Sequence, residues 1–167
     1  ANTAEGFIDR STEFGLAHKR GLWHGLGAGD VDGDGDLDLI ATNLGTNTKY
    51  SASDDEPARL YVDDFDNDGT LDVIEAKFED GRLLPVRGRS CSSNAIPMLG
   101  EKFPTFEEFA DSTLPEIYGA DALEAATVLE VDDLHHILWR RDGERFVAEE
   151  LPAISQVAPA RGVAVAD

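Results

Sequence analysis

The chain contains the same acidic loop twice, and this repeat constrains the fold more than any other feature. Residues 30–38 read DVDGDGDLD and residues 64–72 read DFDNDGTLD, so both fit D-x-D-x-D-G-x-x-D, with starts 34 residues apart. Adjacent carboxylates repel one another, and a cluster of them lowers stability unless a cation neutralises it. Two copies in the same register therefore predict two cation sites.

Each loop offers enough oxygen atoms to surround one Ca²⁺ ion. We expect carboxylates at positions 1, 3, 5 and 9 and the main-chain carbonyl at position 7 to bind it, with the glycine at position 6 allowing the sharp turn. The expected ligands of the first site are Asp30, Asp32, Asp34, the carbonyl of Asp36, and Asp38. Those of the second site are Asp64, Asp66, Asp68, the carbonyl of Thr70, and Asp72.

The segments beside the loops argue against an EF-hand. Glu75 stands at position 12 of the second loop, as an EF-hand requires, but Ala41 stands there in the first loop. An EF-hand also needs a helix on each side. Residues 60–62 (LYV) and 71–74 (LDVI) favour strands, and residues 37–42 (LDLIAT) have the apolar pattern of a buried strand. Each repeat is therefore predicted to be strand, cation loop, strand, and Glu75 is predicted not to bind the cation.

These residues resemble a known family. Residues 25–40 (GLGAGDVDGDGDLDLI) resemble the FG-GAP/VCBS repeat of integrin-alpha-type β-propellers, whose blades are four-stranded antiparallel sheets with the calcium loop joining two strands. Residues 43–50 (NLGTNTKY) and 88–98 (GRSCSSNAIPM) are similar to segments of bacterial exported proteins of the VCBS and ASPIC/UnbV type. The resemblance implies a mainly β fold of propeller blades, with a helical insertion at about residues 89–126.

Local signals place helices within this insertion. Thr105 followed by Glu108 predicts a capping box, and Asp121 is expected to cap a short helix that ends at Ala126. The serines around Cys91 are expected to cap a helix that ends near Leu99, since no G-x-S-x-G turn marks them as nucleophiles. Those serines are Ser90, Ser92 and Ser93.

Cys91 is the only cysteine, so the chain has no internal disulfide. We expect its side chain to be a small buried apolar group rather than a reactive thiol.

The rest of the chain is predicted to be strands. A hairpin is expected over residues 74–86 with its turn at 79–81, and further strands over residues 128–131, 134–139 and 145–149. Separately, the final residues GVAVAD align with GLGAGD of the first repeat. We therefore expect an entry strand there, and a third calcium loop that begins at Asp167.

Length limits the architecture. A blade takes about 40 to 60 residues and closed propellers have about four to eight blades, so 167 residues suffice for one partial propeller domain of two blades. The open edges of such a stack need covering. We expect either that residues 1–167 are a piece of a longer protein or that other chains in an assembly cover its edges.

Charge excludes several partners. The net charge of −20 disfavours nucleic acid and anionic membranes, and no apolar run approaches the roughly 18 residues of a membrane-spanning helix. Calcium loops of moderate affinity suit the millimolar calcium outside cells. An exported protein, extracellular, periplasmic or at the cell surface, is therefore predicted.

Two classes of function remain open. The resemblance implies a non-enzymatic module for adhesion or extracellular assembly that binds a protein or a glycan. The alternative is a hydrolase-like enzyme with its active site on the propeller face or in further blades. No catalytic residue is predicted, because most carboxylates serve the loops. His135 and His136 are predicted to lie in one strand with side chains on opposite faces, where they cannot share an ion.

Overall fold

The computed structural model describes residues 2–3 and 6–166 and divides into two compact units. The first unit comprises the residues up to Thr48 and those from Asp133 onward, and the second is Lys49–Asp132. About 30% of the chain is strand and 21% is helix, which confirms the predicted mainly β fold. In sequence, the second unit is inserted between two parts of the first.

The secondary structure consists of short elements. In the described residues the strands are β1 (Asn2–Thr3), β2 (Gly6–Phe7), β3 (Gly25–Gly29), β4 (Asp38–Thr42), β5 (Ala58–Asp63), β6 (Asp72–Glu79), β7 (Arg82–Pro85), β8 (Thr127–Val131), β9 (Ile137–Asp142) and β10 (Arg145–Glu150). The α-helices are α1 (Arg89–Ala95), α2 (Met98–Lys102), α3 (Phe106–Asp111), α4 (Leu114–Tyr118) and α5 (Ala120–Ala125). A 3-10 helix covers Ala153–Val157.

The first unit is built on a four-stranded antiparallel sheet of order β10-β9-β4-β3, and β1 and β2 form a separate two-stranded ribbon. The first acidic loop joins β3 to β4, and a turn after Asp142 joins β9 to β10. The apolar core of the first unit contains Ala41, Ile137 and Trp139, with Trp23 packed against Trp139 at a ring-centroid distance of 5.1 Å. This packing fixes the strands that carry the first loop.

Buried polar side chains tie the first unit together before β9 begins. The amide N–H of Asn43 donates to Nδ1 of His136 at 2.8 Å, and His136 Nε2 lies 3.0 Å from the carbonyl oxygen of Ala158. Because Nδ1 accepts a hydrogen bond, Nε2 carries the ring proton of a neutral imidazole. Gln156 accepts from the amide of His136 at 2.8 Å. These bonds hold residues 134–136 outside the strand, so the predicted strand over residues 134–139 begins instead at Ile137.

The second unit is built on a four-stranded antiparallel sheet of order β7-β6-β5-β8, and the second acidic loop joins β5 to β6. The predicted hairpin of β6 and β7 is confirmed. All five helices lie between β7 and β8 in sequence, within the predicted insertion. One core cluster places Tyr61, Ile74 and Ala76 of the sheet with Leu114 and Leu123 of the helices.

The capping box predicted at α3 is confirmed. The side chain of Thr105 accepts from the amide of Glu108 at 3.2 Å, and the Glu108 carboxylate accepts from the amide of Thr105 at 3.1 Å. The prediction for Asp121 was wrong. Gly119, with a φ of 93°, is the residue before α5, and Asp121 lies in its first turn. The negative charge of Asp121 therefore interacts favourably with the positive end of the helix dipole, but its side chain does not cap the helix.

The segment around Cys91 also differs from prediction. Instead of one helix ending near Leu99, α1 and α2 are separated, with Pro97 before the start of α2. Proline cannot donate a hydrogen bond to the preceding turn, so a continuous helix is interrupted there. Ser92, Ile96 and Leu99 are the buried residues, at spacings of four and three, which leaves Cys91 exposed.

The serines lie inside α1 rather than at its cap, where Gly88 stands. The hydroxyl of Ser93 donates to the carbonyl of Arg89 at 2.8 Å, one turn earlier. The hydroxyl of Ser92 donates to the carbonyl of Arg87 at 3.4 Å. Both side chains therefore bond backwards to main-chain carbonyls, and the Ser93 bond has the i−4 spacing that is usual for serine within a helix.

The expected C-terminal strand is absent from the described residues, since residues 161–166 form no strand. Val163 and Val165 instead lie over the glycines of β3. A Cβ atom on Gly27 would be 2.9 Å from Val163 Cγ1, and one on Gly29 would be 2.5 Å from Val165 Cγ1. The segment thus packs on the face of the sheet rather than pairing along an edge. Asp167, the expected start of a third loop, lies outside the described residues.

Candidate metal centres

Both acidic loops turn through the same backbone conformations. Position 4 has a positive φ in each loop, 81° at Gly33 and 60° at Asn67, and position 6 does too, 94° at Gly35 and 89° at Gly69. Glycine and asparagine tolerate this left-handed region best among the amino acids. A Cβ at either position-6 glycine would meet no atom within 4 Å. Backbone conformation, not crowding, therefore explains glycine at position 6.

Within the first loop, carboxylates fold the backbone around themselves. Asp30 accepts hydrogen bonds from the amide of Asp34 at 3.2 Å and from that of Gly35 at 3.0 Å. Asp34 in turn accepts from the amide of Asp36 at 2.8 Å. The carboxylate at position 1 thus stabilises the turn, and the carboxylate at position 5 stabilises the backbone that follows the turn.

The second loop repeats these hydrogen bonds position by position. Asp64 accepts from the amide of Asp68 at 3.0 Å and from that of Gly69 at 2.9 Å, while Asp68 accepts from the amide of Thr70 at 2.7 Å. At position 3, Asp32 and Asp66 each accept from the amide at position 5, in both cases at 3.2 Å. The two loops therefore share one geometry despite their different residues at positions 2, 4 and 7.

Position 9 closes each loop at the start of a strand. Asp38 is almost fully buried, and its two carboxylate oxygens accept from the amides of Arg141 at 2.8 Å and Val31 at 2.9 Å. These two amides hold the pKa of Asp38 below its ordinary value. In the second loop, Asp72 accepts from the amide of Phe65 at 3.1 Å.

Asp72 has the opposite electrostatic environment. Burial raises the pKa of its carboxyl, the Phe65 amide lowers it, and the neighbouring carboxylates of Asp66, Asp68 and Asp64 raise it further. The second loop therefore concentrates negative charge that a cation would relieve.

Three carboxylates converge in each loop. Their ligand atoms lie within 4.8 Å of one another, and they belong to positions 1, 3 and 9. Oxygens bound to one Ca²⁺ at about 2.3–2.6 Å must lie within about 5 Å of one another, so the spacing fits a shared ion. The groups are Asp30, Asp32 and Asp38 in the first loop, and Asp64, Asp66 and Asp72 in the second.

The remaining predicted ligands stand outside these groups. At position 5, the carboxylates of Asp34 and Asp68 accept the amides of position 7. Asp36 and Thr70 were predicted to bind through main-chain carbonyls, and their participation stays a prediction. Hard oxygen donors, mostly anionic, are the set that Ca²⁺ prefers, so the chemistry of the converging groups fits this ion.

The surroundings of the two loops differ in one basic side chain. Arg140 Nε lies 3.7 Å from Asp32 Oδ2, and Arg140 Nη2 lies 2.7 Å from Glu149. Within the described part of the chain, no basic side chain pairs with a carboxylate of the second loop. The first site is thus partly compensated by the protein itself.

Glu75, at position 12 of the second loop, bonds elsewhere. Its Oε1 accepts from the Tyr50 hydroxyl at 2.5 Å, and its Oε2 lies 2.8 Å from Arg87 Nε. Burial, with the bond to Glu75, raises the pKa of Tyr50 to about 12. Burial opposes ionisation of Glu75, but Tyr50 and Arg87 hold its pKa below the ordinary value. No sequence pattern indicates this cluster, because its members are far apart along the chain.

A second cluster that the sequence analysis missed lies in the first unit. Buried Asp133 pairs with Lys19 Nζ at 2.9 Å and with His135 Nδ1 at 2.7 Å. Burial raises the pKa of Asp133, yet Lys19 and His135 outweigh it and leave that pKa below its ordinary value. The other ring nitrogen of His135 lies 3.8 Å from Glu150. The described contacts of His135 include no hydroxyl or thiol that it could activate.

Comparison with protein-family models, with curated proteins and with solved structures found no match. Among the described residues, no helix is both long enough and apolar enough to cross a membrane. The geometry of the two loops is therefore the main basis for a functional proposal.

Proposed function

We propose that this chain is a calcium-binding, calcium-stabilised extracellular module of the FG-GAP/VCBS β-propeller type. It binds protein or glycan partners in adhesion or extracellular assembly and is not an enzyme. The observation that carries the proposal is the repeat of one hydrogen-bonded loop, with three converging carboxylates, in each of two antiparallel sheets.

Calcium suits the loops better than magnesium. Magnesium requires a near-ideal octahedron at about 2.0–2.1 Å, whereas calcium accepts six to eight oxygens in flexible arrangements. The groups formed by Asp30, Asp32 and Asp38, and by their second-loop equivalents, would hold the ions. Position 5, the carbonyls at position 7 and water would complete the shells. When bound, each ion supplies positive charge, which offsets the repulsion within its loop.

The sheets support the propeller type in one respect and depart from it in another. Each has four antiparallel strands, and in each an acidic loop joins two neighbouring strands, as the FG-GAP resemblance implies. The second unit, however, is inserted between β4 and β9 rather than following a completed first sheet. Two sheets are fewer than the about four to eight blades of a closed propeller, so a complete propeller would need further blades.

Binding is proposed rather than catalysis because the titratable side chains within each cluster pair with one another. Asp133 is engaged by Lys19 and His135, and Glu75 is engaged by Tyr50 and Arg87. Such mutual pairing stabilises the fold without presenting a group poised for proton transfer to a substrate.

Calorimetric titration tests the metal assignment. We expect two Ca²⁺ ions per chain, and one fewer in either Asp32→Asn or Asp66→Asn. The matched control is Asp54→Asn, which removes an exposed carboxylate outside the loops and should leave the stoichiometry at two. Absence of saturable calcium binding by the folded chain would overturn the proposal.

A further inference from the structure

A groove in the second unit runs beside β7 and α3, and we call it the arginine groove. Its volume is about 350 Å³. Leu84, Val86 and Phe109 give it an apolar floor, since they are buried or half-buried. The groove is also lined by Arg87, Arg89 and Phe106, and Phe106 is 66% exposed. A large exposed aromatic ring beside an apolar floor is typical of a binding surface.

Arg89 is held in place by neutral partners. Its Nε donates to the carbonyl of Phe103 at 2.5 Å, and its Nη2 donates to the carbonyl of Gly100 at 3.1 Å. Its Cζ lies 5.3 Å from the ring centroid of Phe106. A guanidinium has five N–H donors, so several remain for a ligand. In the described part of the chain, Arg89 makes no ion pair with a carboxylate.

Arg87 has a different role, because its charge is already matched. Its Nε lies 2.8 Å from Glu75, while its side chain stays 57% exposed. Arg89 therefore supplies the uncompensated positive charge, and Arg87 adds hydrogen-bond donors. No aspartate or glutamate lines the groove, although the chain as a whole has 34 acidic residues against 14 basic ones. The groove thus differs in charge from the rest of this acidic protein.

We propose that the arginine groove binds an extended peptide segment in which a carboxylate stands beside an apolar side chain. A planar guanidinium can hold a carboxylate through two parallel hydrogen bonds. The apolar floor takes the neighbouring aliphatic or aromatic side chain, and the Phe106 ring covers it. Because β7 is the edge strand of its sheet, an extended segment can lie alongside it.

A peptide fits this lining better than a glycan does. Sugar recognition needs many hydrogen-bonding groups, whereas most of the residues lining the groove are apolar. The proposal specifies a ligand class for the binding module proposed above. It rests on that proposed function only in taking the partner to be a protein. It uses neither acidic loop, so the two proposals can fail separately.

The test uses pools of fluorescein-labelled hexapeptides and the calcium-saturated chain. In each pool one pair of adjacent positions is fixed as Glu-Phe, Gln-Phe, Glu-Ser or Lys-Phe, and binding is measured by fluorescence anisotropy. We expect the Glu-Phe pools to bind most tightly. Replacing Glu by Gln or Phe by Ser should weaken binding by about tenfold, since one loses the charged partner and the other the buried side chain.

Three variants locate the binding site. Arg89→Gln and Phe106→Ser should each weaken binding of the Glu-Phe pools by about tenfold. Arg89 also bonds the end of α2, so its variant needs a parallel melting curve, whereas exposed Phe106 can be replaced with little effect on folding. Arg161→Gln removes an exposed arginine in the first unit and should change affinity less than about twofold.

Equal binding of the Glu-Phe and Gln-Phe pools would overturn the inference. So would unchanged binding in Phe106→Ser, or binding of a heparin tetrasaccharide with no peptide pool bound. Calcium titration of the same samples separates the two proposals. Calcium binding without peptide binding refutes only the groove ligand, and peptide binding without calcium binding refutes only the metal assignment.

Discussion

Asp38 and Asp72 occupy the same loop position but meet different surroundings. Two amides donate hydrogen bonds that stabilise the charged Asp38 carboxylate, whereas Asp72 is half-buried beside three other carboxylates. The pKa of Asp38 is therefore lower in the folded chain than in the unfolded chain, and that of Asp72 is higher. The stabilisation from Asp38 is present above its unfolded pKa of about 3.9 and is lost as pH falls through the folded value. Without calcium, Asp72 has the opposite dependence, and its contribution is lost as pH rises through its folded pKa.

The raised pKa of Asp72 predicts that Asp72→Asn has opposite effects on stability without and with calcium. In EDTA at pH 7, Asp72→Asn should raise the melting temperature, because it removes charge repulsion. In calcium the same variant should lower it, because a ligand is lost. Asp38→Asn should be destabilising in both buffers, by about 1–3 kcal/mol, since one buried amide loses its acceptor. Thermal melts followed by circular dichroism measure both variants. A higher melting temperature for Asp38→Asn would contradict this account. So would a melting temperature of Asp72→Asn that changes in the same direction in both buffers.

The left-handed glycines of the loops predict a second effect. Gly69→Ala should destabilise the chain by about 1–2 kcal/mol, the cost of a Cβ at this backbone conformation. The control is Gly162→Ala, because Gly162 lies outside helices and strands, has no left-handed φ, and an added Cβ there would meet no atom within 4 Å. Urea denaturation gives both free energies of unfolding. Equal effects of the two substitutions would mean that the turn does not depend on conformation at position 69.

At the scale of elements, local signals predicted well what local physics determines. The strands around the loops, the β6–β7 hairpin and the Thr105–Glu108 capping box all follow from residues near one another in sequence. Positions 1, 3 and 9, three of the four carboxylate positions predicted to converge, also lie together, and they fall within nine residues. Local periodicity and turn residues were sufficient for these features.

Three of the failures involve long-range contacts or the choice of a buried face. Residues 134–136 leave the strand pattern because Asn43, about ninety residues earlier, bonds His136. Cys91 is exposed because its helix buries the face of Ser92. Val163 follows the alternation of a strand, yet it packs over Gly27 of the sheet instead of pairing. No local pattern specifies such partners, so these features could not be read from the sequence.

Arg140 leads to a prediction about the first loop as an element. Its guanidinium near Asp32 competes with a bound cation, so Arg140→Gln should tighten calcium at the first site by about two- to fivefold. Affinity at the second site should not change. Arg161→Gln removes an exposed arginine whose backbone lies beside Gly25, at the end of β3 opposite the loop, and serves as the control in calorimetric titrations at low ionic strength. Weaker calcium binding in Arg140→Gln would show that Arg140 supports the loop rather than competing with the ion.

For the whole molecule, calcium should control stability. At a free concentration of a hundred times Kd, each ion adds about 2.7 kcal/mol to the free energy of unfolding. Chelation with EDTA should therefore lower the melting temperature by on the order of 10 °C in a chain of this size. Adding calcium should restore the melting temperature, whereas the same concentration of magnesium should not. A melting curve unaffected by EDTA, after incubation long enough for slow release, would refute calcium stabilisation.

The insertion of one unit within the other sets an order for folding. Leu39 of β4 pairs with Trp139 of β9, so the first sheet joins segments that the whole second unit separates in sequence. During synthesis from the N-terminus, Lys49–Asp132 leaves the ribosome before β9 and can fold as a unit of its own. The strands β3 and β4 must wait for their partner with apolar side chains uncovered. Early folding of the inserted unit shortens the effective distance between β4 and β9 and lowers the entropy lost when they meet.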